Sequence, residues 1–180
     1  MTQAPARTVR SERAAAIVAT ARRILEAEGA ESLTMRRLGD AVGMRAPSLY
    51  KHFPSKRHVA AALVEDAFVE MGRALYAAVE RSDRRGPVAA LLAAYRGMAL
   101  ANPNLYRLTT APDLPRDLLA PGLEAWSGQP FQLVTGEPHA AQALWAFAHG
   151  MTILEIDARF MDRSDLDRTW RCGAEAFAVR

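Results

Sequence analysis

The chain has 180 residues, half of them apolar and 24% charged, a globular balance that excludes a disordered or fibrous protein over most of its length. Its longest apolar run, Val88 to Tyr95, is eight residues where a membrane span needs about 20, the lone Cys172 excludes an internal disulfide, and the first ten residues carry no readable secretory signal. The net charge of +3 is divided unevenly: residues 1–60 hold eleven Lys and Arg against five Asp and Glu, or +6, and residues 61–180 hold twelve against fifteen, or −3.

Residues 1–10, with Pro5 and no apolar periodicity, read as a flexible basic arm. Helix starts near Ser11: Ala14, Ile17, Val18, Ala21, Ile24 and Leu25 follow the three-and-four spacing of one helical face, and Gly29 stops the run near residue 28. Thr34 is the N-cap of a second, short helix with Leu38, Ala41 and Val42 as its expected buried face and Gly43 at its end. A third short helix runs from Arg45 to Phe53, with Pro47 in its first turn, where the missing N–H costs no hydrogen bond. Ser55 then caps a long fourth helix to about Arg81. After the Ser82-Asp83-Arg84-Arg85-Gly86 linker, Pro87 opens a helix that Asn102-Pro103 closes. Residues 104–138 contain Pro112, Pro115, Pro121 and Pro130 with Gly122, Gly128 and Gly136, so only short helices are expected, around Tyr106 and Leu118 to Trp126. Pro138 begins a long helix to about Met161, and Ser164 with Asp167 resembles a capping box for a last one to about Ala178. No stretch alternates as a strand does, so the expected fold is all-α.

Two short helices joined at a glycine, the second in a basic context, are what a helix-turn-helix requires. Leu38 and Gly39 put an apolar and a very small residue where the helices cross, Gly43 lets the chain reverse, and Leu49 and Phe53 turn inward. Arg45, Ala46, Ser48, Tyr50, Lys51 and His52 are left outward, a mixture of small, hydroxyl, aromatic and cationic groups suited to a DNA major groove. The basic surplus of the first sixty residues agrees, since phosphate binding releases counterions, although a solvated basic face has the same composition.

The segment Leu33-Thr34-Met35-Arg36-Arg37-Leu38-Gly39-Asp40-Ala41-Val42-Gly43-Met44, followed by Leu49-Tyr50-Lys51-His52-Phe53-Pro54-Ser55-Lys56, resembles the amino-terminal signature of the TetR family of bacterial transcriptional regulators over about 45 residues from Ala14. Gly39 departs from the Ala usual in the family. Leu144-Trp145-Ala146-Phe147-Ala148-His149-Gly150-Met151 is similar to the signature of the WHG class of that family's ligand domains, and Tyr95 to Leu108 to the usual start of that class; between Asp117 and Glu137 the chain departs from the family's long helix.

The resemblance implies a helix-turn-helix domain over 11–57 and a helical ligand-binding and dimerisation domain over 58–180, working as a homodimer on a palindromic double-stranded DNA operator. Arg36, Ala46, Pro47 and Ser48 are then the candidates for base contact, with Arg45 beside them; Tyr50, Lys51, His52, Thr34 and Lys56 are the candidates for the phosphate backbone. Arg7 and Arg10 add DNA contacts or belong to a disordered tail. Tyr95, Leu105, Tyr106, Trp126, Phe131, Trp145 and His149 are candidates to line a site for a small lipophilic effector, each equally open to a core role. Phe147, Gly150, Leu154 and Ala158, with Leu166, Trp170, Gly173 and Phe177, are candidates for the dimer interface, with intrachain packing as the competing account.

The expected activity is that of a ligand-responsive repressor of the cytoplasm; an effector-independent dimer controlled by a protein partner is the alternative. An enzyme has little support: no phosphate-binding glycine loop occurs, and His52, His58, His139 and His149 lack metal-ligand spacing. No cofactor, metal or membrane partner is expected.

Overall fold

The computed structural model describes residues 3–7, 9–82, 86–161 and 163–178. The expected linker over residues 83–85, and residues 1, 2 and 8 of the expected arm, lie outside the described residues. Among the described residues are nine α-helices and no strand: α1 (Glu12–Glu28), α2 (Met35–Val42), α3 (Ala46–His52), α4 (Lys56–Glu80), α5 (Gly86–Ala101), α6 (Pro103–Thr109), α7 (Leu123–Thr135), α8 (Pro138–Ile156) and α9 (Leu166–Phe177), with a 3-10 turn at Arg116–Leu118.

The chain divides into two compact units. One comprises Pro5–Val69 and Asn102–Leu123, the other Glu70–Ala101 and Glu124–Arg180. This division falls inside α4 rather than at residue 57, and it gives α6 and the segment after it to the amino-terminal unit.

In that unit, Ser11 Oγ accepts from the Ala14 N–H at 3.3 Å to start α1, and Gly29, with φ of 84°, ends it. Ile17, Ala21, Leu25, Leu38, Leu49, Phe53, Val59 and Leu63 form its core, joined by Leu105 of α6. Burying each of the larger aliphatic groups contributes about 1.5–3 kcal/mol. Glu26 fixes α6 to α1: its carboxylate accepts from the backbone N–H groups of Asn104 and Leu105, at 3.3 and 2.6 Å. These N–H groups belong to the first turn of α6, where no intrahelical carbonyl is available. Arg7 and Arg10 are tied to α4. Arg7 pairs with Asp66, and Arg10 reaches Asp66 at 2.7 Å, Glu65 at 2.9 Å and the Ala62 carbonyl at 3.0 Å.

The second unit packs α5, α8 and α9 against one another. Arg96 of α5 is its polar centre, holding Glu155 of α8 at 2.6 Å and Asp167 of α9 at 2.6 Å, while the Trp170 indole N–H donates to Glu155 at 3.1 Å.

Four local expectations need correction. Ala41 is exposed, and Gly39 takes its place beside Leu38 in the buried face of α2. The proline-rich stretch holds one 13-residue helix, α7, with Pro130 inside it. Helix α8 stops at Ile156, short of Met161, because Ala158 turns left-handed at φ of 50°. The Arg159 N–H then reaches the Leu154 carbonyl at 2.9 Å and the Ala158 N–H the Glu155 carbonyl at 3.2 Å, the paired bonds of a Schellman ending. Finally, α9 is capped by Asp165, whose carboxylate accepts from the Arg168 N–H at 2.9 Å, and not by Ser164.

Candidate nucleic-acid interface

Helices α2 and α3 meet through a turn that the sequence prepares. Gly43 sits at φ 64°, ψ 36°, a left-handed conformation that costs glycine little. Met44 N–H then closes on the Gly39 carbonyl at 2.9 Å. A Cβ at position 39 would stand 3.1 Å from the Met44 carbonyl oxygen and 3.7 Å from Leu49 Cδ2, so glycine permits this close crossing and alanine would tighten it. Leu49 and Phe53 of the α3 segment are buried beneath.

With those two anchored inward, Arg45, Ala46, Pro47, Ser48, Tyr50, Lys51 and His52 all lie exposed, as do Thr34, Arg36 and Lys56. Tyr50 keeps 47% of its surface, a large exposed ring on a seven-residue helix. The Thr34 hydroxyl accepts from the Arg37 N–H at 3.1 Å as the cap of α2. Two neighbouring guanidiniums have different fates. Arg37 grips Glu28 with two bonds, Nε at 3.1 Å and Nη2 at 2.6 Å, whereas Arg36 makes no ion pair among the described residues. The Arg37 hydrogen bond holds the Glu28 carboxyl below its ordinary range and raises Arg37 in turn. Lys56 Nζ donates to the Ala30 carbonyl at 3.0 Å. Arg57 pairs with Asp117, which lies below its ordinary range because of that bond. Sequence reading missed all three of these ties; the partners are 9, 26 and 60 residues away, and no local pattern announces them.

The seven candidate effector residues are divided between the two units. Tyr95 and Phe131 meet edge to face at 5.5 Å, and Trp126 lies 5.4 Å from Tyr76 with its indole over Gly72, where a Cβ would overlap it. Leu105 and Tyr106 belong to α6 of the other unit, and Leu105 is part of that unit's core. Trp145 is 47% exposed and stacks on His149 at 5.6 Å, an outer face of α8 rather than an interior. Partial burial holds the His149 imidazole below its ordinary range, toward the neutral form.

Of the eight candidate interface residues, Phe147, Trp170, Gly173 and Phe177 pack within the chain. Phe147 meets Trp170 edge to face at 5.7 Å and Phe177 at 6.0 Å, and its ring occupies the place a Cβ on Gly173 would take. Leu154 and Ala158 are exposed, Gly150 and Leu166 half-buried, and a Cβ on Gly150 would meet nothing.

The family model described as "Bacterial regulatory proteins, tetR family" matches residues 17–63, the stretch that contains this interface. A second, "Tetracyclin repressor-like, C-terminal domain", matches residues 88–177, half of the chain. The chain belongs to the TetR family. It is therefore built as a DNA-binding transcriptional regulator and not as an enzyme. It is similar to the tetracycline repressor protein class C of Escherichia coli, 44% identical over 50 residues, a match that spans 28% of this chain and 23% of that repressor. Among solved structures, a protein with unknown function from Rhodococcus sp. RHA1 has a TM-score of 0.75 at 24% identity, covering 93% of this chain and 94% of that one. A possible TetR family transcriptional regulator from Streptomyces coelicolor A3(2) has 0.67 at 20% identity, covering 91% and 96%. A TetR variant from Acinetobacter baumannii AYE in complex with minocycline has 0.63 at 20%, covering 91% and 92%. These structures share the TetR fold. Among the described residues no helix is long and apolar enough to cross a membrane.

Proposed function

We propose that this TetR-family protein is a ligand-responsive repressor, a homodimer that binds a palindromic operator and leaves it when a small lipophilic molecule binds. The observation that carries the reading is the exposed face of α3 and the start of α2: Arg36, Arg45 and Lys51 stand without ion pairs among the described residues, around small Ala46, Pro47 and Ser48, with Leu49 and Phe53 fixing the helix from below. Cations kept out of internal salt bridges are available to phosphates and to the N7 and O6 edge of guanine. In this reading α3 enters the major groove, Arg36 adds a base contact, and Tyr50, Lys51, His52, Thr34 and Lys56 set position on the backbone. The Thr34 hydroxyl can cap α2 as acceptor and still donate to a phosphate. Arg7 and Arg10, engaged by Asp66 and Glu65, are left out of the contact set.

Dimerisation is assigned to the outer faces of α8 and α9. The four residues spent inside the chain are replaced by Trp145, Ala146, His149, Gly150 and Ile153 on α8, with Cys172 and Ala176 on α9. A helix-turn-helix contacts few bases alone, so two heads at a fixed separation read two half-sites about one helical turn apart. The minocycline complex of the Acinetobacter protein supports a small-molecule effector for this chain. A ligand favouring a state in which the two α3 helices no longer match successive grooves lowers operator affinity by the same coupling free energy, about 1–3 kcal/mol.

Selection of bound sequences from random duplex DNA tests the reading. The expected result is an enriched palindrome whose complex has one protein dimer. Binding to heparin and to every duplex alike would refute it.

A further inference from the structure

Four buried or half-buried hydroxyls on or next to these helices share one arrangement. Thr109 and Thr110 turn Oγ1 to the Tyr106 carbonyl at 2.8 and 3.1 Å, Thr135 to that of Phe131 at 2.9 Å, and Ser127 to that of Glu124 at 2.7 Å; exposed Thr169 does the same to Asp165 at 3.1 Å. Returning a bond to a carbonyl three or four residues back is the local solution open to a helical Ser or Thr. Thr152, inside α8, does not use it. Its side chain is fully buried, and Oγ1 meets no donor or acceptor among the described residues. A buried hydroxyl without a partner loses its hydration and gains nothing in return, so such a group in a folded protein calls for a partner from outside the chain.

Its surroundings define the chemistry of that partner. Leu144, Ala148 and Thr152 recur every fourth residue along the buried side of α8, and Glu155, one turn beyond, holds Arg96 of α5. The stripe therefore lies on the side of α8 that meets α5, whose own buried residues are Val88, Leu91, Leu92, Tyr95 and Ala99. The unit's other buried aromatics are the Tyr95–Phe131 and Tyr76–Trp126 pairs and Trp170. Besides its tyrosines, Thr152 and Ser127 are the buried polar side chains described in this unit, and Ser127 is already bonded. Arg96 is engaged by Glu155 and Asp167. An ionised ligand would find no counter-charge here, and burying one unpaired is costly.

We propose that Thr152 is the polar anchor of the effector site, which takes a neutral, compact ring system bearing one carbonyl or hydroxyl oxygen paired to Thr152 Oγ1. This rests on the reading of the second unit as a ligand domain. The probes are 1-indanone and indane, the same fused ring with and without a carbonyl, titrated into the full-length, DNA-free protein and followed by intrinsic tryptophan fluorescence. Wild type is expected to bind indanone about tenfold more tightly than indane. Thr152→Val, close in shape but without the hydroxyl, should erase that preference while leaving indane binding unchanged, and Thr152→Ser should keep it. Thr152→Val should melt no lower than wild type, because the hydroxyl removed makes no internal bond; a lower melting temperature would reveal an internal partner and overturn the proposal. Equal indanone binding by wild type and Thr152→Val would mark a hydroxyl that serves only solvent and would overturn it too, as would failure of wild type to bind either compound. The operator selection is done without ligand, so the regulator reading and this one fail separately.

Discussion

Replacing Lys51 by Ala tests the interface through its salt dependence. Each head exposes Arg36, Arg45, Lys51 and Lys56 on the proposed DNA face. If Lys51 and Lys56, the two cations assigned to the backbone, each neutralise one phosphate, a dimer neutralises about 4, and log K falls with log salt at a slope of about −4. Lys51→Ala removes one cation from each head and should flatten the slope by about 2. The variant's affinity deficit should then narrow about tenfold between 50 and 200 mM salt, since the wild type has more counterion release to lose. Arg37→Ala is the internal control. It removes the same formal charge from α2, but Arg37 is already held by two bonds to Glu28. Its slope should match wild type. Fluorescence anisotropy of a labelled selected operator, titrated across that salt range, reads both slopes. If Arg37→Ala flattens the curve as much as Lys51→Ala, generic basic charge governs binding and the geometric assignment fails.

Ala158→Gly should stabilise the chain by about 1 kcal/mol, because a left-handed residue with a Cβ is disfavoured by that order, and should raise the melting temperature by about 2–4 °C in calorimetry. Gly150→Ala should raise the intrinsic stability of α8, where a Cβ meets nothing in its own chain, yet weaken the dimer in sedimentation if this face meets a second copy; an unchanged dimer would move the interface elsewhere. Acid should destabilise the fold as pH falls below the ordinary carboxylate range. Glu28, Asp117 and Asp167 are each held lower in the folded chain by an arginine hydrogen bond, so their contribution is present above the unfolded values and lost as pH falls through the folded ones. Asp117→Asn should shallow the acid limb of a melting-temperature profile; an unaltered limb would show that the Arg57 pair adds nothing.

Helices α1, α2 and α3 were legible because their signals are local: Ser11 and Gly29 bound one, Thr34 and Gly43 the next, and Leu49 and Phe53 show which way the third faces. Helix α7 was not, because its prolines and glycines carry the local signal of a chain break and mask the apolar spacing beneath them. Leu123, Trp126, Ser127, Pro130, Phe131 and Val134 are spaced by three and four and all buried. Pro130 costs about 3 kcal/mol, through the bond its missing N–H withholds from the Trp126 carbonyl and the crowding of its ring against that carbonyl. Burying Leu123, Trp126 and Phe131 contributes at least 1.5 kcal/mol each, enough to offset it. The burial stripe outweighs the breaker, and a count of turn residues cannot weigh the two. Among the site residues the separation of Arg36 from Arg37 was equally hidden, since it depends on Glu28 being a neighbour in space.

The dimer assignment shows why patterning stops short of function. A three-and-four apolar spacing says that a helix face is covered, not whether the cover comes from its own chain. On α8, Phe147 is covered by α9 itself: Gly173 gives its ring room, and Trp170 and Phe177 close around it. Those same residues looked like interface candidates because a small residue opposite a large ring is what any close helix pair needs. Once they are spent, exposed Trp145, Ala146 and Leu154 and half-buried His149 and Gly150 remain among the candidates on α8, with Trp145 stacked on His149. A stacked, partly dehydrated His149 favours the neutral form, which is the form that can be buried against a second copy at low cost. The proposed interface therefore rests on the exposed part of α8, Trp145, Ala146 and Leu154, with His149 stacked on Trp145.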